Sequence, residues 1–153
     1  MISEQLIQVR EEISIAEKKS GRPTGSVKLI AVSKTFEKEY IQEAIQAGCL
    51  TFGENRIQEA KDKIETIGRN QVKWHLIGHL QKNKVKFIYD LFDLIHSVDS
   101  FELGKAIHLG AQTRGIVIPV LIQVNIASEV TKSGIEPSHL EELLNKLSNL
   151  NGL

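Results

Sequence analysis

The sequence predicts an α/β protein assembled from βα units in series, and three observations predict it. Five short runs are apolar on consecutive rather than alternate residues, as strands covered on both faces are: KLIAVS (28–33), CLTFG (49–53), VKWHLIG (72–78), LIHSV (94–98) and VIPVLIQVNI (117–126). Each is followed by apolar residues at three- and four-residue spacing, the mark of a helix with one buried stripe. The runs start at residues 28, 49, 72, 94 and 117, an even step that suits right-handed crossovers between parallel strands.

Before the first run, Ile2, Leu6, Val9, Ile13 and Ala16 share one stripe and predict a helix from Ser3 to Lys19. SGRPTGS (20–26) is a loop by its two glycines and proline. The later helices carry Ile41, Ala44 and Ile45; then Ile57, Ala60, Ile64 and Ile67; then Val85, Ile88 and Leu91; then Leu103, Ala106 and Ile107; then Leu140, Leu143, Leu144 and Leu147. Gly48 and Gly68 follow two of these helices, where a left-handed residue without a Cβ costs least. Ser100 and Ser138 stand where an N-cap hydroxyl accepts from an orphan amide. Asn151–Leu153 reads as a loop entering a sixth strand.

Five units fit either an open doubly wound sheet or most of a (β/α)8 barrel. The open sheet normally carries a glycine-rich phosphate turn after its first strand. Here the first run leads into SKTFEKE, without glycine, which favours the barrel.

With 153 residues and 41% hydrophobic content, the expectation is a single domain over 1–153, with 1–19 as an N-terminal helix. Nineteen basic and nineteen acidic side chains cancel, so no global field draws the protein to nucleic acid or a membrane. The single cysteine, Cys49, excludes an internal disulfide framework and suits a reducing compartment. The N-terminus shows no basic leader followed by an apolar core, and no run nears the roughly 20 residues that cross a bilayer. A cytoplasmic protein is expected.

In both architectures ligands are handled at the carboxyl ends of the strands. Ser33 and Lys34, Glu54 and Asn55, His75 and His79, His96 and Ser97, and Asn125 all fall there. A lysine just past a strand is commonly a solvated loop residue. Held instead at the mouth of an apolar barrel, Lys34 loses hydration, its pKa falls, and the neutral amine attacks an aldehyde to give a Schiff base. Asn55 is either the N-cap of the next helix or a ligand contact. His75, inside a strand, is either a hydrogen-bonded core residue or a ligand contact. His96 and His108 read as structural or exposed. Lys82, Lys84 and Lys86 read as a solvated helix start, and SEVTKSG (128–134) as a mobile surface loop. No histidine pair has helical metal spacing and no carboxylate completes a triad, so no metal site is expected.

LIAVSKT (29–35), FGENRIQEA (52–60), WHLIGHLQKNK (74–84), IHSVDS (95–100) and the stretch ending in KSG (132–134) together resemble the pyridoxal phosphate homeostasis protein family, also called the proline synthetase co-transcribed homologue family. Its fold is similar to the barrel domain of alanine racemase. The resemblance implies an alanine racemase-like barrel in which Lys34 holds pyridoxal 5'-phosphate as a Schiff base, with Asn55 and His75 beside the cofactor. It implies a non-catalytic role in vitamin B6 homeostasis, transient contact with apoenzymes that use the cofactor, and a monomer when complete. A racemase or Schiff-base lyase is the alternative. Racemisation needs an acid/base on each face of the reacting carbon, and Tyr40 and Tyr89 fall in helix patterns away from the strand ends. A third reading is a structural module without ligand.

The family continues to a sixth strand, a serine- and glycine-rich segment and an Arg-Gly stretch that hold the phosphate. The resemblance therefore implies a chain shortened on its C-terminal side, with only about five to six βα units, weaker cofactor binding and an open edge after the fifth strand that invites pairing or aggregation.

Overall fold

The computed structural model describes residues 1–127, 129 and 131–153. Its elements are α1 (Ile2–Lys19), β1 (Ala31–Val32), α2 (Lys38–Gln46), β2 (Thr51–Glu54), α3 (Ile57–Ile67), β3 (Lys73–Leu76), β4 (Leu94–Val98), α4 (Phe101–Gln112), β5 (Val120–Ile122) and α5 (Leu140–Leu147). Two 3-10 turns, Lys82–Phe87 and Pro137–His139, complete them. All five strands fall on the apolar runs: β4 fills its run, β2 ends one residue past its own, at Glu54, and the other three are shorter than theirs.

The strands form one parallel sheet in the order β1-β2-β3-β4-β5. A doubly wound sheet reverses its strand order at a switch point; this one never does. The strands follow one another as in the wall of a (β/α)8 barrel.

Parallel register sorts the side chains into two faces. Phe52 pairs with Trp74, and Glu54 with Leu76, which pairs with Ile95. These residues meet the helices, and their burial is nearly complete: Trp74 is 0% exposed and Phe52 1%, with ring centroids 5.6 Å apart. Ile41, Ala60, Ile64, Leu103, Ile107 and Leu147 close the core from the helix side. The alternate residues, Val32, Gly53, His75 and Leu94, share the other face through successive pairings. That inner face is open, with Val32 47% and Leu121 48% exposed.

Several expectations need correction. The third helix is a 3-10 turn over Lys82–Phe87, so that of Val85, Ile88 and Leu91 only Val85 lies within it; their three-residue spacing suits a 3-10 helix as well as an α-helix. Ser138 is not an N-cap, because Pro137 starts a separate turn and α5 begins only at Leu140, behind an uncapped His139. Asn55 is not one either; Arg56 holds that position before α3, without a side-chain bond. In α1, Val9 and Ala16 are exposed while Leu6 and Glu17 are buried. Polar tethers turn that face inward: Ile2 N–H donates to Glu43 Oε1 (2.9 Å), and Glu17 accepts from the amides of Gly25 (2.9 Å) and Val27 (2.7 Å). Ser100 does cap α4, its Oγ accepting from Leu103 N–H at 3.3 Å. Gly48 and Gly68 take φ of +80° and +102°.

The outer side of β5 is tethered at two points. Ile118 N–H donates to the Gly152 carbonyl (3.0 Å), and Val124 bridges Ile135 in parallel. In the loop read as mobile, Asn125 Nδ2 donates to the Glu129 carbonyl at 3.0 Å; Ser128 and Val130 lie outside the described residues.

Candidate functional site

The carboxyl end of β1 is built as a turn. Ser33 still belongs to the ladder, its N–H donating to the Gly53 carbonyl at 3.1 Å, and Phe36 N–H closes back on the Ser33 carbonyl at 3.1 Å. Lys34 and Thr35 are the two central residues. Thr35 has φ +66°, and no other non-glycine among the described residues has a positive φ. A positive φ at the second central residue alone is the type II pattern, which normally asks for glycine; for a β-branched residue it is an outlier. Lys34 leads this turn with its side chain exposed. It is not sheltered by the apolar mouth expected from the sequence.

Beneath the turn lies a polar cluster. Lys63, on α3 and 9% exposed, donates from Nζ to the Ser33 carbonyl (2.7 Å), Glu54 Oε1 (2.9 Å) and Glu59 Oε1 (2.6 Å). Ser33 Oγ donates to Glu54 Oε1 (2.6 Å), and Thr35 N–H to Glu59 Oε1 (2.6 Å). The Lys63 and Thr35 donors hold the Glu59 carboxyl below its ordinary range. Glu54 is fully buried, and its Oε2 has no partner.

On the inner face, His75 Nδ1 lies 2.9 Å from His96 Nε2. The register makes the pair: His75 stands opposite Leu94, so His96 is the next same-face residue on β4. Burial above all, and then the charge of His96, lower the His75 pKa to about 4; burial also lowers that of His96. Near neutral pH the pair is therefore uncharged, one ring donating to the other.

Asn55 follows β2 directly and is half-buried. Gly78, after β3, packs on its backbone so closely that a Cβ would come within 2.7 Å of Asn55 Cα and overlap its carbonyl oxygen. Lys34 and Asn55 thus sit at the carboxyl rim, while His75 lies about one side-chain layer deeper, ~6.6 Å along the strand. His79 points elsewhere, its Nδ1 4.0 Å from Asp99 Oδ2. A groove of about 930 Å³ runs between α3 and the Lys82–Phe87 turn. It shares Asn55 with the rim but includes neither Lys34 nor His75.

Sequence reasoning missed Lys63 and Glu59. Their only signal is a four-residue spacing, which ordinarily marks a weak surface ion pair. The His75–His96 pairing was missed as well, since it depends on strand register.

Residues 5–153 match the family model described as "Alanine racemase, N-terminal domain". The pyridoxal phosphate homeostasis protein of Aquifex aeolicus is 42% identical over 140 residues, covering 92% of this chain and 61% of its own length. That of Vibrio cholerae is 42% identical over 159 residues, covering 97% and 66%. The chain thus spans less than two thirds of these relatives' length. Among solved structures, a Bifidobacterium adolescentis protein superposes with a TM-score of 0.91 at 37% identity, covering 99% of this chain and 65% of that one. PipY of Synechococcus elongatus, with pyridoxal phosphate bound, superposes with a TM-score of 0.77 at 38% identity, covering 91% and 64%. A histidine racemase from Leuconostoc mesenteroides, 16% identical with a TM-score of 0.67, shares the fold. The chain belongs to the alanine racemase N-terminal domain family, within the group of the pyridoxal phosphate homeostasis proteins.

Proposed function

We propose that this chain binds pyridoxal 5'-phosphate covalently through Lys34 and serves in cofactor homeostasis without catalytic turnover. The observation that carries it is the Lys34 amine itself, exposed at the strand end on a turn that a non-glycine residue holds in a left-handed conformation. The PLP-bound PipY structure, a relative at 38% identity, supports the choice of ligand.

The residues present fit the group. An aldehyde needs an accessible amine, and Lys34 offers one. An aromatic ring needs an apolar wall, and half-exposed Val32 lies on the same face. Gly53 leaves that wall shallow, since a Cβ there would press on Ile77 and Ile30 at 3.1–3.3 Å. Lys34, Asn55 and His75 would hold the cofactor, Asn55 as an amide donor or acceptor and His75 as a neutral imidazole fixed by His96. Bound there, the cofactor supplies an aldehyde carbon with which an amine condenses, losing water.

A second acid/base opposite Lys34 is what a racemase would need. Tyr89 donates its hydroxyl to the Ile107 carbonyl at 3.0 Å, inside the helix layer, and Tyr40 lies on the outer helix α2. Both placements favour a carrier over a racemase. No helix among the described residues is long and apolar enough to cross a membrane; the proposed place of work is the cytoplasm, beside apoenzymes.

Titration of the purified chain with pyridoxal phosphate tests the proposal. A saturable visible band that Lys34→Ala abolishes is expected, with no change in the chirality of added amino acids. A band that survives Lys34→Ala would overturn the assignment, and turnover dependent on Lys34 would replace the carrier with an enzyme.

A further inference from the structure

The cluster under the turn grips Lys34 from both sides. Lys63 Nζ binds the carbonyl of Ser33, the residue before it, and Glu59 Oε1 binds the N–H of Thr35, the residue after it. The two grips are joined at 2.6 Å, Lys63 to Glu59. With Glu54 as third acceptor, all three N–H bonds of the Lys63 ammonium are used, and none of its nitrogen is left for an incoming carbonyl. Thr35 sits in a backbone region that L-residues disfavour, so the turn relaxes unless something holds it.

We propose that Glu59 and Lys63 are positioning residues: they hold the Ser33–Phe36 turn in its left-handed form, fix the direction of the Lys34 amine, and leave Lys34 rather than Lys63 open to an aldehyde. The inference rests on the proposed function, and part of its test does not involve the cofactor.

The variants are Glu59→Ala, which removes the acceptor, Glu59→Gln, which keeps an oxygen in its place, and Thr35→Gly placed in the Glu59→Ala chain. One readout is hydrogen exchange of the Thr35 amide without cofactor; the other is the rate at which pyridoxal phosphate raises the visible band. Losing a hydrogen bond to a charged group is worth about tenfold or more. Glu59→Ala should therefore speed Thr35 exchange and slow the band by about tenfold each, and Glu59→Gln should restore most of both. Thr35→Gly should recover the band rate in the Glu59→Ala chain, since glycine adopts the left-handed φ without penalty; a general loss of stability would not be repaired this way. Unchanged Thr35 exchange in Glu59→Ala, or an unchanged band rate, overturns the inference. Absence of a band in the unaltered chain would sink the proposed function, and Thr35 exchange alone would then decide the clamp.

Discussion

Replacing Lys63 by methionine should be among the most damaging single changes in the molecule. The Lys63 side chain is 10% exposed and its partner Glu54 is 0% exposed. Without the ammonium, the Glu54 carboxylate keeps one donor, Ser33 Oγ, and its Oε2 already has none. Stripping one partner from a buried ion pair costs about 3–5 kcal/mol, because the remaining charge is left uncompensated in a poorly polarisable interior. A small domain has only about 5–15 kcal/mol of stability, so Lys63→Met removes about a fifth or more. Replacing both charges by apolar groups of similar volume is often neutral or stabilising, so Lys63→Met with Glu54→Leu should recover much of the loss. Trp74 is the only tryptophan and is fully buried against Phe52, which makes its fluorescence a reporter for urea unfolding. The reasoning fails if Lys63→Met shifts stability by less than about 1 kcal/mol. It fails equally if the double variant loses the sum of the two single losses.

Other expectations follow from the same geometry. His75 titrates near pH 4, below its ordinary 6.5, so the stability it contributes is complete above pH 6.5 and is lost as pH falls from there toward 4. Melting temperatures should drop across that window in the unaltered chain and drop less in His75→Gln; parallel curves would contradict this. Gly78→Ala pushes a Cβ into the Asn55 backbone, where overpacking costs about 1–3 kcal/mol, and it should alter cofactor binding by moving Asn55; an unchanged melting point would refute the close packing. Ser100→Ala removes the cap on Leu103 N–H and should cost about 1 kcal/mol in chemical denaturation; a change near zero would mean that water replaces the hydroxyl.

Strand positions were legible because a strand covered by helices on one side and a barrel lining on the other carries apolar residues in succession, and Leu29–Val32 and Val120–Ile122 show this directly. The choice of barrel over open sheet was legible only through what followed β1, a glycine-free turn; the unbroken strand order confirms it. The 3-10 turn at Lys82–Phe87 was misjudged because three-residue spacing serves two helical periods equally. The site divides in the same way. Lys34 and Asn55 stand out as polar residues at strand ends, and His75 as a polar residue inside a strand. The Glu54–Glu59–Lys63 cluster does not, since a lysine four residues after a glutamate is indistinguishable in sequence from a solvated pair, and only the approach of the β1 turn to α3 buries it. Nor does a threonine announce a left-handed backbone. His75 and His96 are twenty-one residues apart, and nothing short of register says that they touch.

The most direct test of the central claim is reduction with borohydride after adding pyridoxal phosphate, followed by mass mapping of the modified peptide. The chain has fourteen lysines, all of them exposed except Lys63. The account predicts one reduced cofactor per chain, fixed on Lys34 and absent from Lys63. Label scattered over surface lysines, or a single label on any lysine other than Lys34, would contradict it.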